Sequence, residues 1–235
     1  MPRNSGSKYS MHSTKEWYDT FYEEGNRFGY KKWIYKPYLR SLLAKAGLSA
    51  GSTVLDVGCG QGFFSNLIRN CGMRVTGVDI SDTGVRAACK NYRACDIRFV
   101  AADIDTMPKE SAFDCVFVRS FSLYNVEDFS RSHHVTDRLM QYVKGGGAFI
   151  FAYNTNLKFA NCGGRWRYHT LRQARQHFAS YSNVECFFTL KLDIVILRKF
   201  AFNRLVSVLN SILSAALGIG GDIVCIVRKD LKSYE

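Results

Sequence analysis

Three glycines at alternating positions follow a short apolar run in the segment Leu55-Asp56-Val57-Gly58-Cys59-Gly60-Gln61-Gly62. The run from 53 to 57 is typical of a strand that is buried on both faces. The glycines predict a tight turn, because glycine adopts positive φ angles and lets the backbone approach a ligand closely. The free N–H groups at the start of the following helix would point at a bound ligand. Strand, glycine turn and helix in this order predict an α/β fold with a nucleotide site at the end of the strand.

The spacing of the glycines distinguishes this turn from a dinucleotide-binding turn. Gly58, Gly60 and Gly62 alternate, whereas nicotinamide enzymes carry the spacing G-x-G-x-x-G. Asp56 also lies inside the strand, just before the turn. We therefore disfavour a nicotinamide enzyme, and also an α/β domain whose glycine turn binds no ligand.

Two further strand-like runs contain a carboxylate near their ends. The run from 74 to 80 contains Asp79, and the run from 98 to 104 contains Asp103. An acid at the tip of the second strand of a βαβ unit can accept hydrogen bonds from both hydroxyls of a ribose. Asp79 is therefore the predicted ribose acceptor.

These motifs together resemble the class I S-adenosylmethionine-dependent methyltransferases over about residues 53–154. The resemblance implies a Rossmann-like α/β fold: a mostly parallel seven-stranded sheet with an antiparallel last strand, helices on both faces and an N-terminal helical lid. It implies S-adenosylmethionine as the cofactor and S-adenosylhomocysteine as its product. It further implies that Asp56 serves the amino group of the cofactor directly or through water, and that Asp103 with Ile104 meets the adenine. The cofactor-binding residues predicted in this way are Asp56, Gly58, Cys59, Gly60, Asp79, Ile80, Asp103, Ile104 and Arg119.

The length of 235 residues suits one methyltransferase domain. Eight cysteines without a CxxC pair, several of them (Cys59, Cys115 and Cys225) at positions typical of small buried hydrophobes, favour a reduced cytoplasm. The polar start also lacks the apolar core of a secretion signal. We divide the chain into a flexible tail at 1–12, a helical lid at 13–50, a cofactor-binding core at 51–190, and an amphipathic helical insertion with the last strand at 191–235.

The net charge of +12 indicates an acidic partner. Nucleic acid, an anionic membrane surface and a small anionic substrate are the three candidates. Basic residues are scattered from Arg3 to Lys232 without a dense run, which disfavours nucleic acid. A small anionic substrate is therefore the partner we predict.

Aromatic residues near the N-terminus recur at helical spacing, and Ser13 with Glu16 forms a plausible capping box. A second helix is predicted over 31–46. In the family that the chain resembles, such helices cover the cofactor and shape the substrate pocket. Tyr18 and Tyr22 are therefore predicted to contact the substrate, the alternative being that these aromatics only pack on the sheet edge.

The substrate should lie beyond the carboxyl ends of the fourth and fifth strands, predicted at 113–118 and 148–153. Tyr124 and Asn154 follow these strands, Tyr124 as a candidate base and Asn154 as a substrate contact. His133 and His134, at the start of a helix predicted to run to about 143, are candidate general bases because histidine titrates near neutrality. Adjacent histidines at a helix start are also commonly just solvated.

The segment from 163 to 169 is the densest cluster of basic and aromatic residues. Arg165, Arg167 and His169 are predicted to hold the substrate, because guanidinium groups suit carboxylates and phosphates. Trp166 between them could stack on a ring. The alternative is ordinary surface charge before a helix over 170–179.

Strands near 184–192 and 222–227 are predicted to pair antiparallel. The helix at 200–217 between them has an apolar stripe that is predicted to pack on the core or to form a homodimer, with a substrate lid or membrane-surface contact as the alternative. Its polar side argues against a transmembrane segment. The stripe consists of Phe202, Leu205, Val206, Leu209, Ile212, Leu213 and Ala216, and the polar side of Asn203, Arg204, Ser207, Asn210 and Ser211.

The predicted reaction is transfer of a methyl group to O or N of a small, anionic metabolite or natural-product intermediate. The nucleophile would attack the sulfonium methyl in line, and catalysis would come mostly from positioning. No cluster of metal ligands stands out in the sequence. The alternatives are methylation of a macromolecule, RNA or protein, and a non-catalytic subunit that binds the cofactor beside a partner.

Overall fold

The fold is built on a seven-stranded sheet with the strand order β3-β2-β1-β4-β5-β7-β6. The computed structural model describes residues 15–23, 29–108, 112–156, 166–190, 193 and 196–230. Within these, the strands are β1 Thr53–Val57, β2 Arg74–Asp79, β3 Ile97–Ala101, β4 Phe113–Arg119, β5 Val143–Thr155, β6 Val184–Leu190 and β7 Gly221–Arg228.

Helices connect most of these strands and cover both faces of the sheet. Short 3-10 turns lie at Ser122–Tyr124, Phe129–Ser132 and Arg198–Phe202. The α-helices are α1 Lys15–Glu23, α2 Lys32–Lys45, α3 Phe63–Arg69, α4 Asp82–Asn91, α5 His133–Met140, α6 Leu171–Phe178 and α7 Arg204–Leu217.

The direction of the strands brings the candidate site to one edge of the sheet. The pairs β2–β3, β1–β2, β1–β4 and β4–β5 are parallel, whereas β7 is antiparallel to both β5 and β6. The predicted antiparallel last strand is thus confirmed. Because β1, β2, β4 and β5 point the same way, the loops after them lie together at their carboxyl ends.

Two apolar cores, one on each face of the sheet, explain the continuous apolar sequence of its strands. In β4, Val116 and Val118 face one core, and Cys115 and Phe117 face the other; all four are fully buried. A strand that is covered on both faces has no solvent side on which polar residues could alternate.

The glycine segment at 145–147 lies inside β5. It is not a helix stop, because α5 already ends at Met140 and β5 begins at Val143, five residues before its predicted start. The pairing of β5 with β4 shifts register between Phe113 and Cys115, where the extra residues form a bulge. Gly146 has a φ of +76° there.

Cys186 and Cys225 are directly opposite each other in β6 and β7 and form a disulfide. Cys225 is buried as predicted, but the prediction that it is a reduced thiol is wrong. Pairing could not be read from the sequence because 39 residues separate the two cysteines. Cys59 and Cys115 are buried free thiols, as predicted.

The helix α7 packs on the sheet with its polar side, not its apolar side. Ser207, Asn210 and Ser214 are buried, while Leu209 and Ile212 are exposed. The prediction that the apolar stripe packs on the core is therefore wrong.

The edge of the sheet explains this orientation. β6 is an edge strand, so its outward N–H and C=O groups need partners. The Phe188 N–H donates to the Ser207 hydroxyl at 2.7 Å, and the Asn210 amide donates to the Phe188 carbonyl at 3.4 Å. Polar residues of the helix thus satisfy the backbone of the edge strand.

Candidate functional site

The glycine turn after β1 adopts the conformation that its sequence predicts. Gly58, Gly60 and Gly62 have φ angles of +75°, +51° and +81°. The backbone N–H groups of Gly58 and Cys59 both donate to the Val78 carbonyl, at 2.8 and 3.0 Å, which fixes the turn to β2. The turn is therefore held beside the end of β2 by these hydrogen bonds.

The lid helix α1 lies directly over this turn. A Cβ atom added to Gly60 would be 2.5 Å from the hydroxyl of Tyr22, a distance that no side chain allows. A Cβ on Gly84 would approach the ring of Tyr22 to 2.9 Å. Both glycines thus permit the close approach of the lid.

Asp79 is the carboxylate that connects the turn to α4. Its two oxygens accept hydrogen bonds from the N–H groups of Gly60 at 2.8 Å and Ser81 at 2.9 Å. Burial raises the pKa of the Asp79 carboxyl above its ordinary value. The carboxylate is held in place and retains acceptor capacity for two hydroxyls.

Two neighbouring cavities meet at Asp79 and Ile80. The larger has a volume of about 450 Å³ and the smaller about 120 Å³. The larger is lined by Trp17, Tyr18, Phe21, Tyr22, Tyr30, Gly58, Cys59, Gly60, Gln61, Phe63, Phe64, Asp79, Ile80, Arg119, Ser120, Phe121, Ser122, Asn154 and Trp166. The smaller is lined by Val57, Gly58, Val78, Asp79, Ile80, Ala102, Asp103, Ile104, Asp105, Phe121, Ser122 and Leu123.

Eight of the nine predicted cofactor residues thus line the larger cavity, the smaller or both. Asp103 and Ile104 belong to the smaller one, beyond Asp79 from the glycine turn. This is the order that the resemblance implies, with the adenine, the ribose and the methionine part following one another. Arg119 lines the larger cavity as well.

Asp56 is the exception, since it lines neither cavity. It is buried beneath the turn, where the Ser65 hydroxyl donates to it at 2.5 Å. Burial raises the pKa of the Asp56 carboxyl to about 7. Direct contact with the cofactor amino group is not supported by this position, and a role through water stays a prediction.

Arg119 is held in a buried ion pair with Asp222. Its two terminal nitrogens donate to the carboxylate at 2.9 and 3.1 Å, and its guanidinium lies 5.2 Å from the ring centre of Tyr35 and 5.1 Å from that of Phe64. Burial alone would lower the pKa of Arg119, but the Asp222 carboxylate raises it. The buried Nε has no hydrogen-bond partner among the described residues.

The cavities therefore fit S-adenosylmethionine. A fixed carboxylate is available for ribose, and a smaller cavity with Ile80 and Ile104 for a flat base. Arg119, which is paired with Asp222 but has an Nε without a hydrogen-bond partner among the described residues, lines the larger cavity. The described residues contain no group of histidines, cysteines and acids that could hold a metal ion.

The predicted substrate residues divide into two groups. Tyr18, Tyr22 and Asn154 line the larger cavity. Arg167 does not; its guanidinium pairs with Glu127 at 2.7 Å on the surface. His169 is buried against the Phe129 ring, with its Nε2 2.8 Å from the Tyr124 carbonyl, and burial lowers its pKa. Arg165 falls outside the described residues.

The three predicted catalytic residues line neither cavity. Tyr124 is fully buried, and its hydroxyl is 2.9 Å from the Thr136 hydroxyl. His133 stacks on the ring of His177, and His134 is exposed on α5. A role for these residues as general base stays a prediction, one that their positions do not support.

Several lining residues were not predicted. Phe121 and Ser122 follow β4 in the loop already assigned to the substrate, so their position in the chain could have identified them. Tyr30 and Phe63 carry no such signal, because single aromatic residues are usually packing. Trp166 was noted in the basic cluster, and its indole N–H donates to the Asn154 carbonyl at 3.1 Å.

The sheet order, the glycine turn and the two cavities together define a class I methyltransferase fold with a nucleoside cofactor site. Residues 54–147 match the family model described as a methyltransferase domain. Over these residues the chain is similar to the class I S-adenosylmethionine-dependent methyltransferases.

Individual relatives agree with this assignment. A protein of Geobacillus sp. (strain WCH70) named as a methyltransferase is 26% identical over 144 residues, 60% of this chain and 56% of the relative. A malonyl-[acyl-carrier protein] O-methyltransferase of Pseudescherichia vulneris is 34% identical over 110 residues, 47% of this chain and 42% of the relative. The chain thus covers about half the length of these relatives.

Solved structures share the fold at lower identity. The N-methyltransferase NodS from Bradyrhizobium japonicum WM9, in complex with S-adenosylhomocysteine, superposes with a TM-score of 0.61 at 15% identity. The superposition covers 90% of this chain and 98% of NodS.

Proposed function

We propose that the protein transfers the methyl group of S-adenosylmethionine to an oxygen or nitrogen of a small acceptor that carries an anionic group. The observation that carries this proposal is the pair of adjoining cavities, one shaped for a nucleoside and the other continuing beyond it under the lid. The larger cavity has room for the methionine part and for a small molecule.

Aromatic side chains dominate the wall of the larger cavity. Rings from the lid lie opposite rings from α3 and from the loop after β4. Such walls exclude water and bury the apolar body of an acceptor, so the acceptor is proposed to have such a body. The rings are Trp17, Tyr18, Phe21, Tyr22, Tyr30, Phe63, Phe64, Phe121 and Trp166.

The anionic character of the acceptor rests on fewer residues than the sequence indicated. Arg167 and His169 make contacts elsewhere, which leaves the Nε of Arg119 and the net charge of +12 in support. One relative is named for a malonyl group, which is an anion. If the cofactor carboxylate occupies Arg119, the charge acts by attraction at longer range.

The residues of this chain would contribute by positioning more than by proton transfer. S-adenosylmethionine supplies an electrophilic methyl carbon on a sulfonium. Asp79 and the glycine turn would fix the cofactor, and the lid would close over the acceptor. Bringing two reactants into contact in this way can supply about 7–11 kcal/mol of the barrier. Neither cavity is lined by a histidine among the described residues, so the nucleophile should arrive unprotonated.

Labelling tests the proposal. The protein is incubated with S-adenosylmethionine labelled in the methyl group and with separate small-molecule, RNA and protein fractions. Label should enter the small-molecule fraction, and more readily its anion-exchange-retained part. Label in RNA or protein would favour the macromolecular alternative, and cofactor binding without transfer would favour a non-catalytic subunit.

A variant at the ribose site shows whether transfer uses the described cavity. Asp79→Ala should weaken cofactor binding by about 1–3 kcal/mol, because the ribose hydroxyls lose a charged acceptor. Calorimetry measures the affinity. Asp103→Ala, at the rim of the smaller cavity, should cost less, because Asp103 is more exposed. Equal affinity of Asp79→Ala and the unaltered protein would remove Asp79 from the site.

The exposed apolar side of α7 bears on the predicted homodimer. The sequence suggested a homodimer through the 200–217 helix, and the apolar side of α7 is exposed in the single chain. The same surface fits another binding partner better than a second copy of the chain.

A further inference from the structure

The exposed apolar side chains are concentrated in one part of the chain, on and beside α7. Ten large hydrophobic residues are exposed among those described, and nine of them lie between 196 and 219. We call these nine the α7 surface. A surface of this size in a folded protein marks an interaction site. The nine are Ile196, Phe200, Leu205, Val208, Leu209, Ile212, Leu213, Leu217 and Ile219.

The α7 surface is held in place by the contacts of its opposite side. Ser207 and Asn210 satisfy the edge strand β6, and Asn210 also donates to Asp193, which accepts from the Leu190 N–H at 2.9 Å. Turning the helix to bury its leucines would break these bonds and leave the edge strand without partners. The outward orientation of the apolar side is therefore the stable one.

Charge identifies the partner. The segment from 194 to 221 contains Arg198, Lys199 and Arg204 and no aspartate or glutamate. Arg204 is exposed at the start of α7. Leucine and isoleucine on one side with basic residues and no acids is the pattern of helices that lie in the interface of an anionic membrane.

A second copy of the chain fits this surface less well. Two copies meeting through α7 would bring two such basic segments together without any acidic residue between 194 and 221 to neutralise them. Each copy also carries a net charge of +12, which opposes association. An anionic bilayer has the opposite charge and an apolar interior that accepts the leucines.

We propose that the α7 surface binds the protein peripherally to anionic membranes. The helix would lie parallel to the bilayer with Leu209 and Leu213 inserted below the headgroups and Arg204 at their level. The described helices include none that is long and apolar enough to cross a membrane, so binding would be to the surface. This proposal does not depend on the reaction that the protein catalyses.

Membrane binding would also orient the candidate site. The Asn156 amide donates to the Gly218 carbonyl at 3.1 Å, which joins the end of α7 to the end of β5. Asn154, two residues earlier, lines the larger cavity. The bilayer would thus lie beside the carboxyl ends of the strands, where the acceptor is proposed to bind.

Co-sedimentation with vesicles tests the proposal without cofactor or acceptor. The full chain is mixed with vesicles of phosphatidylcholine alone or of phosphatidylcholine with phosphatidylglycerol. It should bind the anionic vesicles, and the binding should weaken as salt is raised. Leu209→Ser with Leu213→Ser should reduce binding by more than about tenfold, because burying apolar side chains drives insertion.

Matched variants separate apolar insertion from general charge. Leu209→Met with Leu213→Met keeps the surface apolar and should bind like the unaltered protein. Arg204→Gln should reduce binding to anionic vesicles about fivefold, whereas Arg131→Gln, at an exposed arginine on the 3-10 turn before α5, should have a smaller effect. Circular dichroism confirms that the variants are folded.

Two results would overturn the proposal. One is failure of the unaltered protein to bind anionic vesicles. The other is equal binding by the serine variant and the unaltered protein. A second copy of the chain would be the partner instead if two results were found together. The unaltered protein would fail to bind vesicles, and it would form a concentration-dependent dimer that Leu209→Ser with Leu213→Ser dissociates.

Discussion

At the scale of single residues, Asp56 is a buried acid that forms no ion pair with a lysine or arginine among the described residues. Its carboxyl is fully buried, and the Ser65 hydroxyl is its side-chain hydrogen-bond donor. Burial raises its pKa to about 7 from an ordinary value of 3.8. The folded protein therefore holds a proton on Asp56 at pH values where the unfolded chain has lost it.

This predicts a pH dependence of stability. Because the folded pKa is raised, the contribution of Asp56 is fully present below about pH 4 and is lost as pH rises toward 7. The Asp56→Asn side chain cannot ionise. The difference in free energy of unfolding between this variant and the unaltered protein should therefore shift in favour of the variant by roughly 2–4 kcal/mol between pH 4 and pH 8. Urea unfolding without cofactor at several pH values measures this.

Asp114→Asn provides a control of opposite sign. Asp114 accepts hydrogen bonds from the N–H and hydroxyl of Thr53, which lower its pKa to about 2. Its contribution is lost only as pH falls below about 4, so this variant should be less stable by a constant amount between pH 5 and 8. A constant difference for Asp56→Asn as well would contradict the raised pKa of Asp56.

Residue positions close to the glycine turn were predictable, whereas distant contacts were not. Gly58, Gly60 and Asp79 belong to one strand-turn-helix-strand unit, whose local geometry follows from sequence order. The Arg119–Asp222 pair joins residues 103 positions apart, and no local pattern announces it. For the same reason His133 and Tyr124 were assigned from chain position alone and proved to lie off the cavity wall.

At the scale of elements, α7 shows why amphipathicity does not by itself tell which side is buried. The stripe of leucines predicted an inward apolar side. The unpaired backbone of β6 reversed it, because an edge strand needs hydrogen-bonding partners that leucine cannot provide. The predicted element was found close to its expected limits, at Arg204–Leu217, but its orientation depended on a neighbour in space.

The lid helix α1 is attached to α4 through Asp19 and through the ion pair of Lys15 with Asp82. The Asp19 carboxylate accepts hydrogen bonds from the Ser81 hydroxyl at 2.6 Å and the Thr83 N–H at 2.9 Å, and it pairs with Lys15 at 2.7 Å. The contacts with Lys15, Ser81 and Thr83 hold the pKa of Asp19 well below its ordinary value. The same α1 carries Tyr18 and Tyr22 of the cavity wall.

Asp19→Ala is therefore predicted to release the lid. Cofactor affinity should fall by roughly tenfold, because α1 would lose charge-assisted hydrogen bonds that hold the cavity closed. Calorimetric titration with S-adenosylhomocysteine measures the change. Glu16→Ala removes an exposed carboxylate from the same helix and should leave affinity unchanged. Equal affinities of the two variants would show that Asp19 does not position the lid.

At the scale of the whole molecule, one buried ion pair links strands on both sides of β5. Arg119 ends β4 and Asp222 lies in β7, so their contact spans the parallel and the antiparallel parts of the sheet. Both side chains are almost fully buried, at 4% and 1% exposure. Removing one partner therefore leaves the other charge buried without its counter-charge.

Breaking this ion pair should destabilise the folded protein. Asp222→Asn should lower the free energy of unfolding by about 3–5 kcal/mol, because it leaves the guanidinium of Arg119 buried without a counter-charge. Arg119→Met together with Asp222→Leu removes both charges and should recover most of that loss, since an apolar pair of similar volume has no desolvation cost. Denaturant unfolding at neutral pH compares them.

The ion pair of Arg131 with Asp128 is an exposed control for this comparison, since the two side chains are 82% and 57% exposed. Asp128→Asn breaks it. That change should cost less than about 1 kcal/mol, because solvent screens exposed charges. If Asp222→Asn cost no more, the guanidinium of Arg119 must reach solvent or another acceptor once its partner is gone. If instead the double variant were as unstable as Asp222→Asn, the pair would act through its hydrogen-bond geometry across β5, and charge compensation would not be the reason that the two halves of the sheet stay together.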